Sequence, residues 1–146
     1  MKLTVHVTTC ALLTAIVATS AIAQRQQKTS PPCIPGKYQL VESRGIVRVV
    51  VITPSCRNLE AMKTLGDKFR VDFAAERIII VMVFDSQRAA GMYDRMLESS
   101  GSLGAAEDRF YDKHNVGNYS KNTNTSNHQY IITLQGADGP EVVLNY

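Results

Sequence analysis

The sequence predicts an α/β domain in which a mixed sheet contains a βαβ unit, followed by helices and a C-terminal antiparallel meander. Three observations predict it. The apolar runs 46–53 and 77–84 flank a segment whose apolar residues recur at steps of three and four. A further helical periodicity follows, to residue 114. After residue 116 apolar residues alternate with polar ones between turn-forming residues, which gives the C-terminus an α+β character.

Residues 1–23 have the pattern of a secretory signal peptide. Lys2 precedes an apolar segment, and Ala21 and Ala23 place small residues before a cleavage site at Gln24. The most apolar part is shorter than the roughly 20 residues that span a bilayer. We therefore expect a secreted or periplasmic protein with no membrane insertion after signal cleavage.

Removal of residues 1–23 leaves a length typical of one domain. Residues 24–36 are rich in proline and glutamine and predict an irregular N-terminal arm, and residues 37–146 form the single α/β domain. The whole chain has 16 Lys and Arg residues against 13 Asp and Glu, a net charge of +3. Because both signs are scattered, no basic tract indicates nucleic-acid binding.

The first half of the domain predicts the βαβ unit. Residues 37–41 and 46–53 are two strands, and Gly45 can supply the positive φ of a tight turn between them. Residues 57–73 then predict an amphipathic helix with Ser55 as its N-cap. The run 77–84 is a buried strand, and two strands joined by one helix are expected to be parallel.

The second half predicts further helices and then the meander. Asp85 or Ser86 begins a helix that continues to about Glu98, and a second helical piece covers residues 103–114. Three short strands follow, separated by loops rich in Asn, Thr and Gly; they cover residues 116–121, 128–135 and 141–146.

The order of strand, cysteine at a helix start, helix, strand, helices and antiparallel strands is similar in outline to thioredoxin-like folds. The resemblance covers about residues 46–146 and implies a thiol site at Cys56. The chain departs from it in two places. The stretch from Cys56 to Leu59 contains no second cysteine, and no proline precedes the strand after the helices. The resemblance is therefore one of outline only.

Cys33 and Cys56 are the two cysteines that remain after signal cleavage. In an oxidising compartment they are expected to form a disulfide that holds the arm against the first helix. Closing that loop would stabilise the fold by about 3 kcal/mol. Two alternatives stay open. Cys56 at a helix start beside Arg57 could be a low-pKa thiolate in a redox protein, or both cysteines could be unpaired.

His114 and His128 are the histidines of the mature chain. Neither they nor the cysteines have the spacing of metal ligands, so we expect no metal and no cofactor. His114 suits a helix C-terminus and His128 a strand start. With Asp108 or Asp112 they could instead form an acid/base pair, which makes both histidines, like Cys56, candidate catalytic residues.

The segment 110–130 is the candidate binding surface, because aromatic side chains alternate there with polar ones. Stacking and amide hydrogen bonds could hold a sugar or a peptide. The alternative is that the aromatic residues fill the core and the polar ones form a solvated hairpin tip. The candidate binding residues are Tyr111, His114, Tyr119, Lys121 and His128.

Two triplets in this segment, Asn118-Tyr119-Ser120 and Asn124-Thr125-Ser126, match the acceptor sequence for N-linked glycosylation. They matter only in a source that glycosylates its exported proteins.

These observations predict a small secreted or periplasmic domain with a non-catalytic binding or structural role. Its partner would be an extracytoplasmic protein or a glycan. The chain contains neither a phosphate-binding glycine loop nor a G-x-S-x-G motif, so an enzyme is the less favoured interpretation. The alternative function is a thiol-dependent redox protein that uses Cys56.

Overall fold

The computed structural model describes residues 30–146, so the predicted signal peptide and residues 24–29 of the arm lie outside the described residues. A six-stranded sheet forms the centre, with its strands in sequence order. Only β2 and β3 are parallel neighbours in this sheet. The strands are β1 Gln39–Arg44, β2 Val47–Val51, β3 Ile78–Phe84, β4 Asn115–Asn122, β5 Asn127–Ile132 and β6 Val142–Asn145.

Helices cover both faces of this sheet. A 3-10 turn, Pro54–Cys56, leads from β2 towards α1. The α1 helix packs on one face, whereas α2 and α4 lie over the opposite face, around Phe84. The helices are α1 Leu59–Asp72, α2 Gln87–Ala90, α3 Tyr93–Glu98 and α4 Ala105–His114.

Strand β3 is apolar throughout because both of its faces are covered. Its side chains alternate: Val81 and Val83 pack with α1, and Met82 and Phe84 contact the opposite core. Such strands have the continuous apolar sequence typical of parallel pairs. The mixed sheet and its βαβ unit confirm the predicted α/β class; the thioredoxin-like resemblance is not confirmed.

The start of α1 differs from the prediction. The helix begins at Leu59, and the Asn58 side chain accepts a hydrogen bond from the Ala61 backbone N–H at 3.0 Å. Ser55, the predicted N-cap, instead donates to the Pro31 carbonyl at 2.7 Å. Cys56 therefore lies in the 3-10 turn and outside the helix. The helix-start argument for a low thiol pKa does not apply to it, because the free N–H groups of α1 come later in the chain.

The helix predicted from residue 86 to Glu98 is divided into α2 and α3. Of the two predicted cap residues, Ser86 is the N-cap of α2. Its hydroxyl accepts a hydrogen bond from the Ala89 N–H at 3.4 Å. The break falls at Gly91, whose N–H bonds back to Gln87 at 3.0 Å and ends α2. Glycine has low helix propensity, which favours a break at this position.

The predicted disulfide between Cys33 and Cys56 is present, with a Cα–Cα distance of 4.8 Å. It ties the end of the arm to the 3-10 turn. A second attachment lies further along, where the Tyr38 hydroxyl donates to the Asp72 carboxylate at 2.7 Å. Within residues 30–146, no helix is long and apolar enough to cross a membrane.

Candidate functional site

At the carboxyl ends of the parallel strands β2 and β3, the chain leaves the sheet in opposite directions. After β2 it continues to α1 on one face, and after β3 it continues to α2 on the other. In open α/β sheets a divergence of this kind leaves a crevice at the strand ends, and ligands bind there. We call this place the carboxyl edge and define it by Arg57, Asp85 and His114.

The three side chains of the carboxyl edge form one hydrogen-bonded group. The Asp85 carboxylate accepts from Arg57 Nη1 at 3.0 Å and contacts His114 Nδ1 at 2.6 Å. Its side chain is only 5% exposed. Arg57 also donates through Nε to the Leu134 carbonyl, which joins the group to the loop after β5. A buried carboxylate is thus satisfied from two sides, as a buried charge requires.

Strand pairing explains why these residues meet. Asp85 directly follows β3, and its backbone N–H donates to the His114 carbonyl at 3.2 Å. Because β3 and β4 are antiparallel, the end of β3 lies beside the start of β4. His114 is the last residue of α4 and directly precedes β4. Arg57 directly follows the 3-10 turn, whose position the disulfide restrains.

The group leaves two nitrogens available. An ionised carboxylate only accepts hydrogen bonds, so His114 carries a proton on Nδ1 and its Nε2 can accept or exchange one. Among residues 30–146, neither His114 Nε2 nor Arg57 Nη2 has a hydrogen-bond partner. The Arg57 and His114 side chains are 19% and 23% exposed, so both are partly accessible. The arrangement can donate to an anionic oxygen and present an oriented imidazole.

Stacked side chains hold the imidazole ring. The ring centroids of Phe110 and His114 are 4.5 Å apart, and the Arg88 guanidinium lies 4.6 Å from the Phe110 centroid. These contacts restrict the ring, so the Asp85 bond acts on a side chain that is already oriented.

A mainly apolar cleft of about 380 Å³ lies between the N-terminal residues and the end of β2. One wall is formed by Pro31 and Ile34 of the N-terminal arm together with Tyr38, and the other is the end of β2 through Pro54. The Arg57 N–H donates to the Pro54 carbonyl at 3.1 Å, so the cleft and the charged group share one turn.

A second cluster, which we call the distal cluster, lies at the other end of β4 and consists of Arg70, Tyr119, Lys121, His128 and Tyr146. The Tyr119 hydroxyl is 2.6 Å from His128 Nε2. Lys121 Nζ donates to the carbonyls that follow α1, at 2.8 and 3.2 Å. The Arg70 guanidinium lies 4.7 Å from the Tyr146 ring centroid. An open depression of about 800 Å³ is lined by Asp67, Arg70, Val71, Ala74, Lys121 and His128.

Burial lowers the pKa of His128, and the positive charges of Lys121 and Arg70 lower it further. Burial also raises the pKa of Tyr119 to about 12. At neutral pH the phenol therefore keeps its proton and donates it to the neutral imidazole. This interaction satisfies a buried phenol and a half-buried imidazole, and it stabilises the fold.

The structure divides the predicted site residues among three places. Tyr111 is buried against Phe84, with ring centroids 5.1 Å apart, and Tyr119 has no exposed surface. His114 belongs to the carboxyl edge, whereas Lys121 and His128 face each other across β4 and β5. The strand from His114 to Lys121 is roughly 23 Å long, so the two histidines do not share a site.

The acid beside His114 is Asp85, and neither of the two predicted acids takes that position. Asp108 accepts from the Leu103 N–H and the Ser102 hydroxyl, both at 2.7 Å, and so stabilises the start of α4. Cys56 is buried and bonded to Cys33. In the sequence, Arg57 is notable only as a neighbour of Cys56, and Asp85 only as a possible helix cap. An acidic residue directly after the most apolar strand was the available signal.

Within residues 30–146, no group of three or more His, Cys, Asp and Glu side chains is arranged to hold a metal ion. No protein-family model, curated protein or solved structure matches this chain.

Proposed function

We propose that this protein is a small secreted or periplasmic domain that binds a ligand at the carboxyl edge and has no catalytic role. One observation carries the proposal: a buried carboxylate, Asp85, holds Arg57 and His114 at the point where the chain diverges from the sheet. The leader pattern of residues 1–23 and the bonded cysteines support an oxidising compartment.

The ligand we propose carries a carboxylate. Arg57 is oriented by its bonds to Asp85 and Leu134, which leaves the Nη2 donors for an anionic oxygen. Guanidinium N–H groups form charge-assisted hydrogen bonds with carboxylates, which are stronger than bonds between neutral groups. The His114 imidazole contacts the same Asp85 carboxylate, and its Nε2 has no partner among residues 30–146. The apolar part of the ligand would occupy the cleft between the arm and β2.

The free-energy cost of burying the charged group also favours a binding role over a purely structural one. Taking charges out of water costs several kcal/mol per ion, and apolar side chains of the same volume often stabilise a fold as well or better. A charged group of this kind is therefore a weak stabilising device. A ligand that pairs with Arg57 would explain why the protein contains this charged group.

The test is a titration of the ¹⁵N-labelled protein with acetate, glucuronate and glutamate as separate probes. We expect saturable shifts of the Arg57 side-chain N–H and of the Asp85 and His114 amides. Arg57→Gln should abolish these shifts and keep a dispersed spectrum. Arg95→Gln is the matched control, because Arg95 also pairs with a carboxylate but lies on α3. Shifts that are unsaturable, or equal in Arg57→Gln, would contradict the proposal.

A thiol-dependent redox role is the second candidate, and the observation that favours it is the position of the disulfide beside Arg57 at the same edge. This role requires that Cys56, which is buried in the oxidised protein, become alkylated quickly after mild reduction. Intact mass after a short incubation with reductant and an alkylating agent decides it. An unmodified mass would reject the redox role and leave the binding proposal standing.

A further inference from the structure

The tip of the β4–β5 hairpin presents an acceptor asparagine in a well-defined turn. Residues 123–126 are all exposed and contain the triplet that begins at Asn124. The Asn124 backbone N–H donates to Asn122 Oδ1 at 3.0 Å, and the Thr123 N–H donates to the Arg77 carbonyl at 2.9 Å. The turn is thus held by its own bonds while its side chains face solvent.

The Asn124 side chain is arranged so that a substituent on Nδ2 costs no contact. Its Oδ1 accepts from Arg77 Nη2 at 3.0 Å, and among residues 30–146 its Nδ2 has no partner. An N-linked sugar replaces one hydrogen of Nδ2 and leaves the carbonyl oxygen unchanged. The bond from Arg77 can therefore persist after modification.

The second triplet has the opposite environment. Asn118 lies within β4 and is paired with Met82 on one side and Ile131 on the other. Its Nδ2 donates to the Met82 sulfur at 3.4 Å, so a sugar there would break this contact. Once β3 and β4 have paired, the triplet is part of an extended central strand and is no longer a surface loop. N-linked sugars are carried by surface loops.

We infer that Asn124 is a site of N-linked glycosylation and that Asn118 is not. The donor is an oligosaccharide joined to a lipid through a diphosphate. Asn124 Nδ2 forms a bond to the anomeric carbon as the bond from that carbon to the diphosphate oxygen breaks. The lipid diphosphate leaves with the electron pair, and Nδ2 loses one proton. The inference rests on the proposed export, because the donor and its enzyme act in the secretory lumen.

The experiment expresses the full chain in a eukaryotic secretory host and compares the secreted protein before and after peptide N-glycosidase. We expect the wild type to carry one glycan and to lose it on treatment. Asn124→Gln and Ser126→Ala should both abolish the treatment-dependent mass change. The matched variants Asn118→Gln and Ser120→Ala should keep it. Ser126→Ala is included because it removes the acceptor sequence while leaving the contact between Asn124 and Arg77.

The outcomes separate this inference from the proposed function. A secreted protein without a glycan, or with a glycan that survives in Asn124→Gln, overturns the inference and leaves the carboxylate site untouched. Retention inside the cell with residues 1–23 attached overturns both the inference and the proposed compartment. A glycan on Asn118 alone would show that modification precedes the pairing of β3 with β4, and it also overturns the inference.

Discussion

The carboxyl edge and the distal cluster each contain a histidine bonded to an oxygen and an arginine nearby, yet their electrostatics differ. At the carboxyl edge the oxygen belongs to a buried carboxylate, Asp85, which also binds Arg57. In the distal cluster it belongs to a phenol, and burial, followed by the positive charges of Lys121 and Arg70, lowers the pKa of His128.

This difference decides what each imidazole can do. His114 must donate its Nδ1 proton to Asp85, so its second nitrogen is left for a ligand. His128 accepts from Tyr119 in a neutral state, and the Lys121 ammonium is already bound to the carbonyls after α1. Cations at a helix C-terminus stabilise the helix. We therefore assign a structural role to the distal cluster and place the proposed ligand chemistry at the carboxyl edge.

The largest expected effect tests the structural role of the distal cluster. Tyr119→Ala should lower the free energy of unfolding by about 3–5 kcal/mol, because it removes a fully buried aromatic ring. Tyr119→Phe keeps the ring and should cost only about 1 kcal/mol for the lost bond to His128. Chemical denaturation measures both. If Tyr119→Ala unfolds like the wild type, the structural assignment of this cluster is wrong.

The next effect concerns the carboxyl edge. Asp85→Asn should lower the free energy of unfolding by about 3 kcal/mol, because it leaves the partly buried Arg57 charge without its counter-ion. The control is Asp94→Asn, whose pair with Arg44 is about half exposed and should be worth less than about 1 kcal/mol. Urea denaturation of both variants at neutral pH gives the comparison. Equal losses would mean that burial does not distinguish the two pairs.

Removal of the disulfide should affect one region and spare the other. Replacing both Cys33 and Cys56 by serine is expected to cost about 3 kcal/mol, since the bond closes a loop with a sequence separation of 23 residues. The arm forms one wall of the cleft, so the binding shifts of the carboxyl edge should weaken as well. The side-chain signals of Tyr119 and His128 should stay in place. Loss of those signals too would show that the arm holds the whole fold.

The smallest effect is a pH dependence from His128. Its pKa is lowered in the folded state, first by burial and then by Lys121 and Arg70. Between that pKa and the unfolded value of about 6.5, the unfolded chain binds more protons than the folded protein, so the free energy of unfolding falls as the pH falls. His128→Gln should flatten this slope below pH ~6.5 in thermal unfolding. An unchanged slope would assign the pH dependence to another group.

Much of the fold was predictable because local periodicity reports which side of an element is buried. The steps of three and four between Leu59 and Phe69 place one stripe of α1 on the sheet, as the structure shows. The alternation after residue 116 correctly predicted three antiparallel strands. The disulfide was predictable because Cys33 and Cys56 are the two cysteines outside the predicted signal peptide. The helix boundary at Leu59 was missed, since a 3-10 turn and a helix start have similar local sequences.

The sequence by itself determined the α/β class, the parallel pair and the acceptor triplets, and it favoured the disulfide between Cys33 and Cys56. Each of these depends on residue type, on spacing along the chain or on the number of cysteines available to pair. Only the tertiary structure decided that Asp85 meets Arg57 and His114, and that His128 meets Tyr119. The physical reason is that these contacts follow from strand order and register, which long-range hydrogen bonds between separate strands establish, and no periodicity within one strand specifies its neighbour.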